Sequence, residues 1–152
     1  MNRDLLIGIS GALMTGIAIG VQATFSGRVG SSIGDIHTGI LTNLVGGVAA
    51  GLILALILIA RGTGLLQLTQ REVVMLVSSG MLGILIITGI SFSLQRAGVA
   101  AGLATVILGQ MVVSTVVDTV GLGGTEPIPL SLQRVIGLAL MAASVYFLVP
   151  KS

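Results

Sequence analysis

The chain has 152 residues, of which 54% are hydrophobic and 8% charged, and its mean hydropathy is +1.13. A soluble globular domain carries about a quarter of its residues charged, so the composition excludes one and points to an all-α integral membrane protein. No cysteine, one histidine and a formal charge of +2 also leave no disulfide framework, no thiolate or imidazole metal cluster and no basic patch for nucleic acid.

One helix across roughly 30 Å of hydrocarbon takes about 20 residues. Five apolar runs can be marked, and residues 1–152 are therefore expected to form one five-helix transmembrane domain. The first run is 5–23. It carries an acidic residue near its start and no clear small-x-small cleavage site, and four more runs follow it, so it is expected to stay as a span. The second is 36–60, with Asp35 as its N-cap and Arg61-Gly62-Thr63-Gly64 closing it. Thr69-Gln70-Arg71-Glu72 has the spacing of a capping box, which fixes the start of a third run at 73–94. Gln95-Arg96-Ala97-Gly98 is a short link to the fourth, 99–120. The stretch "GLGGTEPIPLS", 121–131, is a loop by its glycines and prolines, and Ser131 can cap a fifth helix over 132–149.

Small residues recur every four positions in the first two runs. Gly16 and Gly20 continue the register of Gly8 and Ala12, and Gly47 and Gly51 that of Gly39, with Asn43 between. Such stripes let helix backbones approach in lipid, where apolar side chains gain nothing by hiding from one another. A cavity-lining or hinge role for some of these glycines is the other reading.

Five spans put the two termini on opposite sides of the membrane. Arg3, Arg61, Arg71 and Arg134 then fall on one side, and Arg28, Arg96 and Lys151 on the other. Four against three gives the positive-inside rule almost nothing to act on. The near balance suggests a chain that inserts both ways up and pairs with an inverted copy, giving ten helices; the other reading is that one charge of bias is enough.

Among polar residues within the spans, Gln110 lies near the middle of the fourth, where an unsatisfied carboxamide costs several kcal/mol. Ser114 follows one turn on, and Asp118 one turn further. Either these residues line a path or they bind helices together. Intramembrane acids mark functional sites by default, so Asp118 is expected at the mouth of a path, pairing a cationic group or fixing the helix end. Gln22 and Asn43 can face the same interior, although Asn43 sits in the small-residue stripe and suits a helix contact. Thr88, Ser91 and Ser93 can return their hydroxyls to their own backbone and carry less weight. His37 and Arg28 read as interfacial residues.

The segments "GVQATFSGRVGSS", "LTNLVGG" and "LGQMVVSTVVDTVGLGGTEPIPLSLQRVIGLALM" resemble the YdcZ-like family of small bacterial inner-membrane proteins, a five-span branch of the drug/metabolite transporter superfamily. The resemblance rests most on Gln110, Asp118 and Gly121, then on Ser131 to Arg134 and Gly137. The family places an asparagine four residues after its first glutamine, and here Ser26 stands there. Larger relatives hold two five-span halves of opposite orientation. The resemblance therefore implies a half-size chain pairing as an inverted homodimer, or with a second homologous chain, and exporting a small molecule through a midplane site at the repeat interface.

The missing chemistry agrees with that direction. The first run has no acid after Asp4, no phosphate-binding loop is present, and no nucleophile, base and orienting group fall together, so neither an enzyme nor a bound cofactor is expected. The expected function is secondary transport by alternating access, with a non-transporting accessory subunit as the alternative and a passive channel as a third reading.

Overall fold

The computed structural model describes residues 3–62, 67–122 and 126–150, and its regular structure there is entirely helical. The helices are α1 (Arg3–Ile33), α2 (Asp35–Arg61), α3 (Gln70–Ala97), α4 (Val99–Val120) and α5 (Leu132–Leu148). Thr63 and Gly64, expected to help close the second helix, lie outside the described residues. Four helices, α1 to α4, are long and apolar enough to cross a membrane, whereas Leu132–Leu148 is a shorter apolar helix. Its 17 residues reach only about 25 Å at the α-helical rise.

Two helices run further than the hydropathy reading expects. α1 continues through "TFSGRVGSSI" instead of ending near residue 23, because the polar groups of that stretch are satisfied inside the helix. Thr24 Oγ1 donates to the Gly20 carbonyl at 2.9 Å, and Ser31 Oγ to that of Arg28 at 2.7 Å. One face of the extension, Ala23, Ser26 and Gly30, is also buried. Tertiary contact thus outweighs the low helix propensity of serine and glycine. α3 likewise extends past both expected ends. The capping box before it is formed: the Thr69 backbone N–H donates to Glu72 Oε2 at 2.7 Å, and the Glu72 N–H to Thr69 Oγ1 at 3.4 Å.

The links between α1 and α2 and between α3 and α4 are each a single glycine. Gly34 (φ 89°, ψ 154°) and Gly98 (φ 80°, ψ 166°) occupy a region open in practice to glycine alone. Each serves two helices at once. The Gly34 N–H closes α1 on the Gly30 carbonyl at 2.9 Å, while its own carbonyl accepts from the Thr38 N–H at 3.1 Å and opens α2. Gly98 does the same, from Leu94 at 3.0 Å and to Gly102 at 3.0 Å. Backbone polar groups that would be orphaned at a helix end are therefore satisfied within the link.

α1, α2 and α3 as far as Phe92 form one compact unit; a second runs from Ser93 through α4 and α5. The buried residues of the first unit, among them Ala23, Ser26, Thr38, Ile87, Ile90 and Ser91, come from the end of α1, the start of α2 and the last third of α3. Its close helix approach is at Gly39 of α2. A Cβ there would collide with Thr88 Oγ1 and stand 2.8 Å from the Ile84 carbonyl oxygen. One turn along, the Asn43 carboxamide lies over Gly83, where a Cβ would come within 2.7 Å of its Oδ1.

Most large apolar side chains elsewhere are exposed, including Leu13, Val45 and Leu85, as suits a lipid solvent. At Gly16, Gly20, Gly47 and Gly51 an added Cβ would meet nothing within 4 Å. Among the described residues, then, Gly39 and Asn43 of the second stripe pack closely on α3, at Thr88 and Gly83, and the rest of the two stripes does not.

The link geometry yields a test. Gly34→Ala and Gly98→Ala should each lower the unfolding free energy by about 1–3 kcal/mol, the cost of forcing a Cβ into that backbone region. Gly89→Ala, in mid-helix with open space around it, should instead raise it by roughly 0.5–1 kcal/mol. Denaturation in mixed micelles measures all three, and link variants as stable as the parent would refute the assignment.

Candidate functional site

The polar residues of α4 are organised by the turn that follows it. Gly121 takes the left-handed conformation that ends the helix (φ 74°, ψ 22°), and its N–H and that of Leu122 both return to the Val117 carbonyl, at 2.9 and 3.1 Å. A Cβ on Gly121 would lie 2.8 Å from Cγ of Pro127, so the loop packs directly on the helix end. The Ile128 N–H then donates to the Asp118 carbonyl at 2.9 Å, and Ser131 caps α5 as expected, its Oγ accepting from the Arg134 N–H at 3.3 Å. These constraints carry Arg134, in the first turn of α5, onto the last turn of α4.

The result is an ion pair, Arg134 Nη2 to Asp118 Oδ2 at 3.1 Å. Both side chains are partly exposed, at 30% and 39% respectively. The pair is monodentate, and the Arg134 Nη1 nitrogen is buried with no partner among the described residues. A buried donor left unpaired costs about 1–3 kcal/mol, and more when it belongs to a charged group. Beside it, between α4 and α5, runs a groove of about 360 Å³ lined by Met111, Thr115, Arg134, Gly137, Leu138 and Met141.

Gln110 and Ser114 are exposed on α4, and neither has a hydrogen-bond partner among the described residues. At about 100° per residue they stand roughly 40° apart around the helix, with Asp118 about 80° and Met111 and Thr115 about 100–140° from Gln110. Asp118 therefore separates a polar track from the groove. Among the described residues, the cation that this acid meets is the chain's own Arg134.

In the first unit Gln22 is exposed, again without a partner among the described residues. Asn43 is half-buried, its Nδ2 donating to the Gly39 carbonyl at 2.9 Å while its Oδ1 lies over Gly83. Asp35 does not cap α2. Gly34 holds the cap position without a side-chain cap bond, and the Asp35 carboxylate turns to α3 instead, where its Oδ1 accepts from Ser91 Oγ at 2.6 Å. Ser91 is fully buried, and its hydroxyl serves a second helix.

Two of these pairings are not expected from the sequence. Arg134 enters there as an orientation charge and as part of the family resemblance, although a loop bounded by an acid at one end and, at the other, a capping serine with an arginine three residues on is a legible signal for a closed turn. Ser91 carried no such signal, because its partner became available only when a single glycine linked α1 to α2.

The profile of the family described as "Putative inner membrane exporter, YdcZ" matches residues 7–147. No curated protein and no solved structure matches the chain.

The α2–α3 contact can be tested by itself. Ser91→Ala removes a buried hydrogen bond to a carboxylate and should cost about 1.5–3 kcal/mol. Ser78→Ala, which removes only an exposed bond to the Val74 carbonyl, should stay within about 0.5 kcal/mol of the parent. Equal effects in thermal unfolding would mean that the Asp35–Ser91 bond adds nothing to the fold.

Proposed function

Since the chain belongs to the YdcZ family of inner membrane exporters, we propose that it exports a small molecule as a secondary transporter, working as an inverted dimer by alternating access. The observation that carries this reading is the track on α4. Gln110 lies at mid-span and Ser114 one turn beyond, both exposed and without a partner among the described residues, and a carboxamide facing lipid there costs several kcal/mol. A second chain that encloses the track, together with a solute path containing water, removes that cost. Asp118 then stands at the mouth of the path, and Gln22 and Asn43 are further candidates for its lining.

Two other features favour a second chain. The stripes of Gly16, Gly20, Gly47 and Gly51 have open space in front of them, which is the surface that helices in lipid use to approach. The arginines and lysines divide almost evenly between the two sides, so either orientation is accessible. Enclosure between two oppositely oriented copies puts the site near the midplane, where secondary transporters built from inverted repeats bind their solutes.

Gln110→Ala separates transport from packing. In the exporter reading it weakens solute binding about tenfold, the loss of one or two pocket hydrogen bonds, and leaves the ligand-free thermal stability unchanged. An accessory subunit that only packs helices gives the opposite pattern, a lower stability with affinity falling only as the folded fraction falls. The solute for this comparison comes from a thermal-shift screen of metabolites, since a ligand bound only by the folded state must raise its stability.

Topology offers an independent check. Reporters fused after residue 152 should appear on both sides of the membrane in comparable amounts, and Ser31→Lys with Ser32→Lys should drive the population to one orientation. A tail found on one side only in the parent chain rules out the inverted homodimer.

A further inference from the structure

The groove between α4 and α5 joins three features that the helix-end role of Asp118 and Arg134 does not account for. Arg134 is the one charged residue that lines it, beside Met111, Thr115, Gly137, Leu138 and Met141. The guanidinium gives only Nη2 to Asp118, while Nη1 is buried and has no partner among the described residues. A Cβ on Gly137 would meet nothing within 4 Å, so the groove floor is open. An apolar channel with a single under-used cation at one end has the chemistry of a receptor for an anion with an apolar body.

We propose that this groove binds the anionic head of an amphipathic molecule, a carboxylate or phosphate, on Arg134, and that Asp118 holds the guanidinium when the groove is empty. A guanidinium has five N–H donors in a planar fork, and a two-oxygen anion uses that fork better than the single contact with Asp118 does. The methionines supply flexible, polarizable walls that adapt to chains of different shape. Thr115 already gives its hydroxyl to the Met111 carbonyl at 2.7 Å, so it adds little polarity to the wall. Because Asp118 and the anion compete for one partner, binding frees the Asp118 carboxylate at the edge of the Gln110–Ser114 track. As the assignment of cargo the proposal rests on the exporter reading; as a binding site it does not.

The test uses the full chain purified in dodecyl maltoside, with apparent Kd taken from the rise of Tm with ligand concentration. Sodium octanoate should stabilise the protein, whereas acetate, with the same head and no body, and octylammonium, with the same body and opposite head, should do so far less. Arg134→Gln should weaken octanoate binding about tenfold or more, the loss of charge-assisted bonds. Asp118→Asn should tighten it by roughly fivefold, since the competing charge is gone. Gly137→Leu fills the floor and should weaken binding about tenfold without lowering the ligand-free Tm. It therefore decides the matter even if Arg134→Gln does not fold.

Dioctanoyl phosphatidylglycerol, with dioctanoyl phosphatidylcholine as its uncharged counterpart, separates the two sources of such an anion. Binding of the phosphatidylglycerol with the same dependence on Arg134 and Gly137, in the absence of octanoate binding, supports the site and makes its occupant a lipid headgroup. Octylammonium stabilising as well as octanoate, or no probe responding to Gly137→Leu, overturns the proposal. Vesicle transport keeps the two readings apart: anion binding without solute flux defeats the exporter and not the site, and flux of cationic solutes alone defeats the anion as cargo and not the exporter.

Discussion

Lipid removes most of the force that folds soluble proteins, and the closest contacts among the described residues reflect that loss. An apolar side chain gains little by moving from acyl chains to another helix, so helices are held by close backbone approach and by polar groups that would otherwise be stranded. The Asp35–Ser91 bond, the seating of Gly39 on Thr88, Asn43 over Gly83 and the Asp118–Arg134 pair are contacts of those kinds. They cluster near the helix ends joined by Gly34 and near the α4–α5 turn. The long outer stretches of the helices carry the exposed leucines, valines and isoleucines that lipid accepts.

The single-glycine links make this economy possible. A longer loop would leave carbonyls and N–H groups to be satisfied by water, and so would have to sit outside the hydrocarbon. Gly34 and Gly98 each close one helix with the N–H and open the next with the C=O of a single residue. The consequence is positional: the start of α2 is fixed to the end of α1 tightly enough that Asp35, one residue after the link, becomes available to α3. A carboxylate that the hydropathy reading assigned to a helix cap becomes a cross-helix acceptor through backbone geometry alone.

What could be read from the sequence follows from the same physics. Hydropathy marked five spans where the structure has five helices, four of them long enough to cross a membrane, and the capping signals at Thr69 and Ser131 lie directly before two helix starts, because caps are local chemistry that needs no partner. The end of α1 was misplaced because "TFSGRVGSS" looks like a loop until the buried face of Ala23, Ser26 and Gly30 is known. The four-residue glycine stripes were legible as patterns, yet the pattern alone does not say which surface they face. Gln110, Ser114 and Asp118 could be found from their spacing. That Asp118 meets Arg134 could not, since it depends on how Gly121, Pro127 and Ile128 fold the intervening loop back on α4.

That loop also bears on how a helix as short as α5 could cross a membrane. Its 17 residues fall several ångströms short of a roughly 30 Å hydrocarbon core, so a crossing requires either a thinner bilayer or help from the extended residues before it. Those residues are suited to help. Pro127 and Pro129 have no N–H to strand, the Ile128 N–H is bonded to the Asp118 carbonyl, and the side chains of Ile128 and Leu130 are apolar. Arg134, which alone would resist being drawn below the headgroups, is paired with Asp118 and so enters as half of a neutral dipole. The ion pair that positions the α4–α5 groove is thus also what lets the short helix be lowered toward the hydrocarbon, and breaking it would raise the cost of that placement by exposing two opposite charges separately.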